Sequence, residues 1–303
     1  DTYLHTYGHQ GYSLDFVEPT QLEDPSPLFV TLKAMVQNRN YDPARHEEEA
    51  TRKREKALQD ISELLTGLPY WQFRYRMWFA YKYYPAREES CFVLGKAWPV
   101  LRPMAAELGE RLADIGTFNQ PEDVYFLYTE ELREALEARN RNESKPELGE
   151  LAEERRMLRE RRKQLHPPGA IPPEAAENPG IAFKMTQFKN DDSSDTMIGV
   201  PVSPGTITGP ASLINNAGEF DKMQPGSILV CPMTSPAWTQ LFAHATGLVT
   251  DIGGILGHGS IVAREYGIPA VVGTGNVTQR VKHGQTLEVD GDAGTVVLQT
   301  EEH

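Results

Sequence analysis

The sequence predicts an α + α/β architecture: an N-terminal helical domain over residues 1–165, a Pro-rich linker at 166–194 and a C-terminal α/β domain at 195–303. Three observations predict it. Residues 28–165 carry apolar side chains at helical spacing, and residues 195–299 alternate short strands with short helices. Between them lie His166-Pro167-Pro168-Gly169-Ala170-Ile171-Pro172-Pro173 and Asn178-Pro179-Gly180, a run that favours extended, semi-rigid backbone and cannot be helical.

In the helical part, Leu58, Ile61, Leu64 and Leu65 predict a helix over 44–66, stopped by Gly67 and Pro69. A second helix is expected from Trp71 to Tyr84. Its rings suit either a packed core or the lining of an aromatic pocket. A third is expected from Arg87 to about Leu112, where Cys91, Leu94, Trp98, Leu101, Ala105, Leu108 and Leu112 alternate steps of three and four, a seam for helix-on-helix packing. Val124-Tyr125-Phe126-Leu127-Tyr128 reads as a strand, followed by Thr129 as an N-cap with Glu130 and Glu131 in the first turn. Residues 147–165 read as an exposed helix whose basic and acidic residues alternate.

In the α/β part, strands are expected at Met197–Val202, Thr206–Ile214, Ser227–Cys231, Gly247–Thr250, Ala270–Val272, Thr286–Val289 and Thr295–Leu298. Helices are expected at Pro236–Ala245, with proline in its first turn, and at 259–266. No internal repeat is present.

Composition narrows the function. The 303 residues are 39% apolar and 24% charged, ordinary chemistry for about two globular domains. Acidic residues exceed basic ones, 43 to 30, and the net charge of −13 argues against nucleic acid and anionic membranes as partners. No stretch approaches 18 apolar residues, and the N-terminus has no secretory signal. Cys91 and Cys231 are far apart, so reduced thiols and a cytoplasmic location are expected. The chain begins at Asp1 without an initiator Met, as expected of a fragment or processed product.

The chemistry concentrates in Thr250-Asp251-Ile252-Gly253-Gly254-Ile255-Leu256-Gly257-His258-Gly259-Ser260 and the Ile261–Gly273 segment that follows. A strand ends, a Gly-rich loop follows, and a helix starts just after His258. Free amides and the dipole at a helix start favour an anion, and glycines let the backbone approach it. Thr250, Gly253, Gly254, Gly257, Gly259 and Ser260 are therefore candidate phosphate-binding positions. Gly254 and Gly259 have P-loop spacing, but Ser260 follows in place of Lys; Gly273-Thr274-Gly275 stops short of a dinucleotide fingerprint. From spacing alone, His258 suits either a satisfied loop histidine or a nucleophile whose phosphorylated ring the helix start would stabilise.

These residues resemble the mobile phosphohistidine domain of the phosphoenolpyruvate-utilizing enzymes, which include phosphoenolpyruvate synthase, pyruvate phosphate dikinase, rifampin phosphotransferase and phenylphosphate synthase. The resemblance covers about 195–299. It rests on Gly199-Val200-Pro201-Val202-Ser203-Pro204-Gly205, Pro232-Met233-Thr234-Ser235-Pro236-Ala237-Trp238, the His258 segment with Ala263-Arg264-Glu265 and Gly267-Ile268-Pro269-Ala270-Val271-Val272-Gly273, and the closing Gly284-Gln285 and Gly294-Thr295-Val296. It implies a swivelling domain that carries a phosphoryl group on His258. An ATP-grasp domain or subunit, holding ATP and Mg2+, would phosphorylate it and release AMP and inorganic phosphate.

Leu256-Gly257-His258-Gly259 departs from the Thr-Ser-His-Ala or Thr-Cys-His-Ala of pyruvate-using members, and no residues remain after 303 for their pyruvate barrel. The expected acceptor is thus a hydroxyl compound, phenol first, as in phenylphosphate synthase. A phosphoenolpyruvate synthase or rifampin phosphotransferase fragment, or a phosphocarrier module without its own acceptor site, are the alternatives. Tyr7-Gly8-His9-Gln10-Gly11, with Asp15 and Glu23-Asp24-Pro25, resembles more briefly the acceptor-binding part of rifampin phosphotransferase, which makes His9 a candidate acceptor base.

The remaining candidates have plainer readings. His5 and His9 are four apart, but Gly8 and the lack of further ligands argue against a metal. His244 reads as a packed helix histidine, and Arg264 with Glu265 as a structural ion pair on another face from His258.

Overall fold

The computed structural model describes residues 2–13, 15–37, 43–163, 165 and 194–299. The expected linker at 166–194 therefore lies, but for Ser194, outside the described residues. In chain order the helices are α1 (Thr2–Tyr7), α2 (Ser26–Gln37), α3 (Pro43–Leu64), α4 (Gly67–Leu94), α5 (Trp98–Asp114), α6 (Thr129–Asn140) and α7 (Pro146–Arg162). Then come β1 (Thr196–Ile198), β2 (Val200–Ser203), β3 (Thr206–Leu213), β4 (Ser227–Cys231), β5 (Ala245–Thr250), α8 (His258–Tyr266), β6 (Ala270–Val272), α9 (Val277–Arg280), β7 (Thr286–Asp290) and β8 (Thr295–Leu298). No helix among the described residues is long and apolar enough to cross a membrane.

The contacts divide the chain differently from the expected 1–165 and 195–303 domains. One compact unit is Asp1–Glu23 with Gly95–Pro168, and the other is Asp24–Leu94 with Gly169–His303. The physical reason lies in α2, which buries Leu28 and Thr31 and packs on the segments 217–222 and 236–243 of the sheet-bearing unit.

In the first unit, Leu112, Phe118, Val124, Ala135 and Leu148 make the core. Two glycines permit its close packing. A Cβ on Gly109 would lie 2.1 Å from the carbonyl oxygen of Pro121, and one on Gly149 would lie 2.0 Å from that of Thr117. The strand expected at 124–128 is instead a 3₁₀ turn, Pro121–Phe126, drawn in against α5 at Gly109. Pro121 starts that turn at no hydrogen-bonding cost. Thr129 is the first helical residue of α6 rather than its cap; the Tyr128 amide donates to Glu131 at 2.7 Å. Arg102 ties the N-terminal segment down. Its guanidinium lies over the rings of Phe16 and Tyr125, donates to Glu23 at 2.7 Å and also bonds the Phe16 carbonyl.

Further along, α4 runs from Gly67 through Pro85 to Leu94, so Gly67 and Pro69 open a helix instead of only ending α3, and the two expected helices around 71–112 break at Gly95–Ala97 instead. Trp71, Tyr75, Trp78, Phe79, Tyr81, Tyr83 and Tyr84 are exposed, not core. Tyr75 stacks on Trp78, and the Lys82 ammonium sits 5.0 Å from the Trp78 ring.

In the second unit the strand order is β1-β8-β7-β3-β4-β5-β6-β2. Strands β3, β4, β5 and β6 are parallel neighbours; the remaining pairings are antiparallel. The core joins Met197, Ile228, Val230, Val249, Val271, Leu287, Val289 and Val296. Each such aliphatic side chain contributes about 1.5–3 kcal/mol when taken fully out of water. Strands β1 and β2 stand at opposite ends of the order yet are separated in sequence by Gly199 alone, so the sheet curls until its two edges meet. A Cβ at Gly199 would come within 2.6 Å of Val271 Cγ1, and its amide donates to Gly294 O at 2.8 Å.

Candidate active site

The parallel strands end on one edge, the usual place for a site in such a sheet. Three loops meet there. After β4 and β5, the Asp251 amide donates to Cys231 O (3.2 Å) and the Ile252 amide to Pro232 O (2.9 Å). After β6, the Thr274 amide donates to Thr250 O (3.1 Å) and the Gly275 amide to Asp251 O (2.9 Å). The Asp251 carboxylate is buried and accepts from the Thr278 amide and hydroxyl, anchoring α9. Among the described residues, no three His, Cys, Asp or Glu side chains gather as a metal site would require.

His258 is the first residue of α8, with Gly257 as the N-cap. The first intrahelical bond runs from the Ile261 amide to Gly257 O (3.1 Å), so the amides of Gly259 and Ser260 lie ahead of it, at the positive end of the helix. The ring is partly buried, and its Nε2 lies 3.2 Å from Thr239 Oγ1. Thr239 sits on Pro236–Ala243, expected as an α-helix but formed as a 3₁₀ helix.

The loop residues divide by role. Thr250, expected to offer a hydroxyl to phosphate, is buried and donates to Ile252 O at 3.0 Å. Ser260 is buried and donates to Gly254 O at 2.8 Å. Both hydroxyls therefore build the loop. Gly253 is needed for packing, since its Cβ would lie 2.9 Å from that of Val272. Gly257 turns the chain, donating to Gly254 O at 2.7 Å, whereas the Cβ position of Gly254 faces open space. A Cβ on Gly259 would stand 2.6 Å from Thr234 Oγ1. Arg264 is a brace between strand and loop: its guanidinium donates to Val202 O and Ile255 O, each at 3.0 Å. The expected reading, an ion pair with Glu265, gives way to these carbonyl bonds.

His9 lies in the other unit. It is buried in the turn after α1, so it shares no helix face with the exposed His5. His244 is packed as expected, and burial pushes its pKa down. Cys231 is buried, which pushes its thiol well up and leaves it unreactive. Sequence reasoning missed Thr239. The available signal was its place three residues after Pro236, where a hydroxyl bonds back to the proline carbonyl (2.8 Å). It also missed that Met233, Ile252, Ile255 and Leu256 are exposed apolar residues on the loops around His258.

Comparison with known proteins agrees with this geometry. Residues 223–294 match the family described as PEP-utilising enzyme, mobile domain, and residues 1–88 match the rifampicin phosphotransferase fourth domain. The uncharacterized phosphotransferase YvkC of Bacillus subtilis (strain 168) is 32% identical over 98% of this chain and 36% of its own length. A rifampicin phosphotransferase of Streptomyces sviceus is 30% identical over 98% of this chain and 34% of its own. The prodigiosin synthesizing transferase PigC of Serratia marcescens is 41% identical over 41% of this chain and 15% of its own. The chain thus spans about a third of the length of the first two relatives. The similarity rests on two segments: one at 223–294 like the mobile domain of the PEP-utilising enzymes, and one at 1–88 like the fourth domain of rifampicin phosphotransferase.

Proposed function

We propose that the chain is the phosphohistidine-carrying part of a dikinase-type phosphotransferase, in which an ATP-derived phosphoryl group passes through His258 to a hydroxyl acceptor. One observation carries the reading: in the segment that matches the mobile domain, an imidazole stands at the first residue of α8, over the meeting point of three strand-end loops. A lone pair of the neutral ring forms the N–P bond to the β-phosphorus of ATP while that phosphorus's bond to the AMP oxygen breaks. Water then takes the γ-phosphoryl group off the ring-bound pyrophosphoryl group as inorganic phosphate, leaving one phosphoryl group on His258. The acceptor oxygen then bonds phosphorus as the N–P bond breaks, and the acceptor proton goes to a base. The Gly259 and Ser260 amides and the helix dipole meet the phosphoryl charge. ATP with Mg2+ would be held by an ATP-grasp domain or subunit. This chain supplies the carrier.

For the acceptor we favour a small aromatic hydroxyl compound. The exposed rings of α4 offer an apolar, stacking surface, and a phenol is acidic enough for a modest base to take its proton. A larger, rifampicin-type acceptor is the second reading, favoured by the match of residues 1–88. The test uses the full-length phosphotransferase and radiolabelled ATP. Acid-labile label should appear on His258 and vanish in His258→Ala; label persisting on His244 or His283 would refute the assignment. The phosphorylated protein is then offered phenol, rifampicin and pyruvate. Discharge by pyruvate alone would restore the phosphoenolpyruvate synthase reading, and discharge by none would favour the carrier module without its own acceptor site.

A further inference from the structure

We infer that α2 is a releasable latch on the sheet-bearing unit, and that the unpartnered imidazole of His244 limits how tightly it holds. The inference rests on the carrier reading of His258, because a carrier that visits two sites must let go of whatever holds it at one. The chain places α2 between two attachments. On its N-terminal side Glu23 belongs to the first unit, where Arg102 donates to it at 2.7 Å. Shortly after it, α2 begins at Ser26 and packs on the segments 217–222 and 236–243 of the other unit. Its buried face is narrow: Pro27, Leu28 and Thr31 are buried, whereas Phe29, Val30, Leu32 and Val36 stay exposed. The Thr31 hydroxyl donates back to Pro27 O at 2.7 Å, so it asks nothing of the surface that it covers.

His244 stands at the end of the 3₁₀ helix on which α2 packs. Its backbone is pinned: the amide donates to Leu241 O at 3.0 Å, and the carbonyl accepts from the Gly226 amide at 2.8 Å. The side chain is buried, and neither Nδ1 nor Nε2 has a hydrogen-bond partner. The Thr31 backbone of α2 lies near enough to favour the charged ring without forming a hydrogen bond to it, and burial outweighs that influence. A buried donor and acceptor without partners are less favourable than the same atoms in water. That penalty is carried while α2 stays seated and is relieved when α2 lifts and water reaches the ring. Apolar burial of Leu28 closes the latch, and the imidazole keeps it able to open.

The test uses the full-length phosphotransferase with His244→Leu and Leu28→Asp. Leucine removes the unpartnered nitrogens at similar size and should tighten the latch; aspartate puts a charge under α2 and should open it. Hydrogen exchange of the α2 amides reports the latch, and rapid-quench labelling with radiolabelled ATP reports phosphorylation of His258. In His244→Leu, both α2 exchange and His258 labelling should slow by about tenfold, within the cost of one unsatisfied buried polar group. In Leu28→Asp both should speed up, while the amides of Ser227–Cys231 keep their protection in each variant. Should Leu28→Asp fail to fold, His244→Leu, the milder change, decides alone. Unchanged α2 exchange in His244→Leu, or labelling that moves the same way in both folded variants, would overturn the inference. Failure of the carrier reading would register separately, as label that survives in His258→Ala while α2 exchange still responds to His244→Leu.

Discussion

Thr234 and Gly259 are sterically matched: a methyl group added at 259 would stand 2.6 Å from the Thr234 hydroxyl oxygen and 3.2 Å from Leu248 Cδ2. The pair packs the loop after β4 onto the first turn of α8, directly beside His258.

Two opposing effects decide the outcome of Gly259→Ala. Helix propensity favours alanine by up to about 1 kcal/mol. Overpacking costs about 1–3 kcal/mol. The clash should prevail, and Gly259→Ala should lower the thermal midpoint. In a Thr234→Ala background, where the offending hydroxyl is gone, the same substitution should be neutral or stabilising. A midpoint that falls equally in both backgrounds would show that Thr234 is not the obstacle.

Arg264 holds the loop from behind. Losing its two bonds, to Val202 O and Ile255 O, should cost about 2–4 kcal/mol in Arg264→Ala, at the charged-donor values typical of such bonds. Hydrogen exchange of the 252–257 amides should speed up more than that of the strand amides. Uniform acceleration across the sheet would mean the brace is global.

Ile255 is 61% exposed beside the site, and only its backbone carbonyl is used by Arg264. Ile255→Asp should leave stability within about 0.5 kcal/mol. It should slow phosphorylation of His258 in the full enzyme if the apolar rim meets the phosphoryl donor. Full-rate labelling would exclude the rim from docking.

Acid should act on Glu23. Burial raises its pKa, but bonds from Arg102 and from the amide and hydroxyl of Thr20 outweigh that, and the net shift is downward from 4.5. A depressed acid stabilises the fold at pH above its unfolded value, and the benefit is lost as pH falls through 4.5 toward the lower folded value. Denaturation between pH 3 and 7 should therefore show a steeper acid loss in the wild type than in Glu23→Gln. Parallel curves would remove Glu23 from the acid response.

Much of this was legible in the chain. The β-branched runs at Ser227–Cys231 and Ala270–Val272 became buried parallel strands, and the glycine-histidine segment announced a helix start just after His258, where α8 opens on His258 itself. What was not legible depended on distant contacts. Val124-Tyr125-Phe126 alternates like a strand, but contact between Gly109 and Pro121 tightens it into a 3₁₀ turn. The grouping of α2 with the sheet rests on where Leu28 and Thr31 are buried, which no local pattern encodes. The hydroxyls of Thr250 and Ser260 flank the loop as expected, yet their own loop carbonyls claim them. Thr239 reaches His258 only because the 3₁₀ helix and α8 pack together, 19 residues apart in sequence.

The junction at Gly199 has a consequence for solubility and partner choice. Strands left open at a sheet margin recruit other strands, and proteins spend charge, proline or bulges to discourage it. Here the first two strands run on through one glycine and occupy the two margins, so those margins are drawn together at Gly199. Any side chain at 199 would pry that seam apart, and the first sign should be self-association rather than a lost activity. Margins drawn together in this way leave less room for a foreign strand to add to either of them.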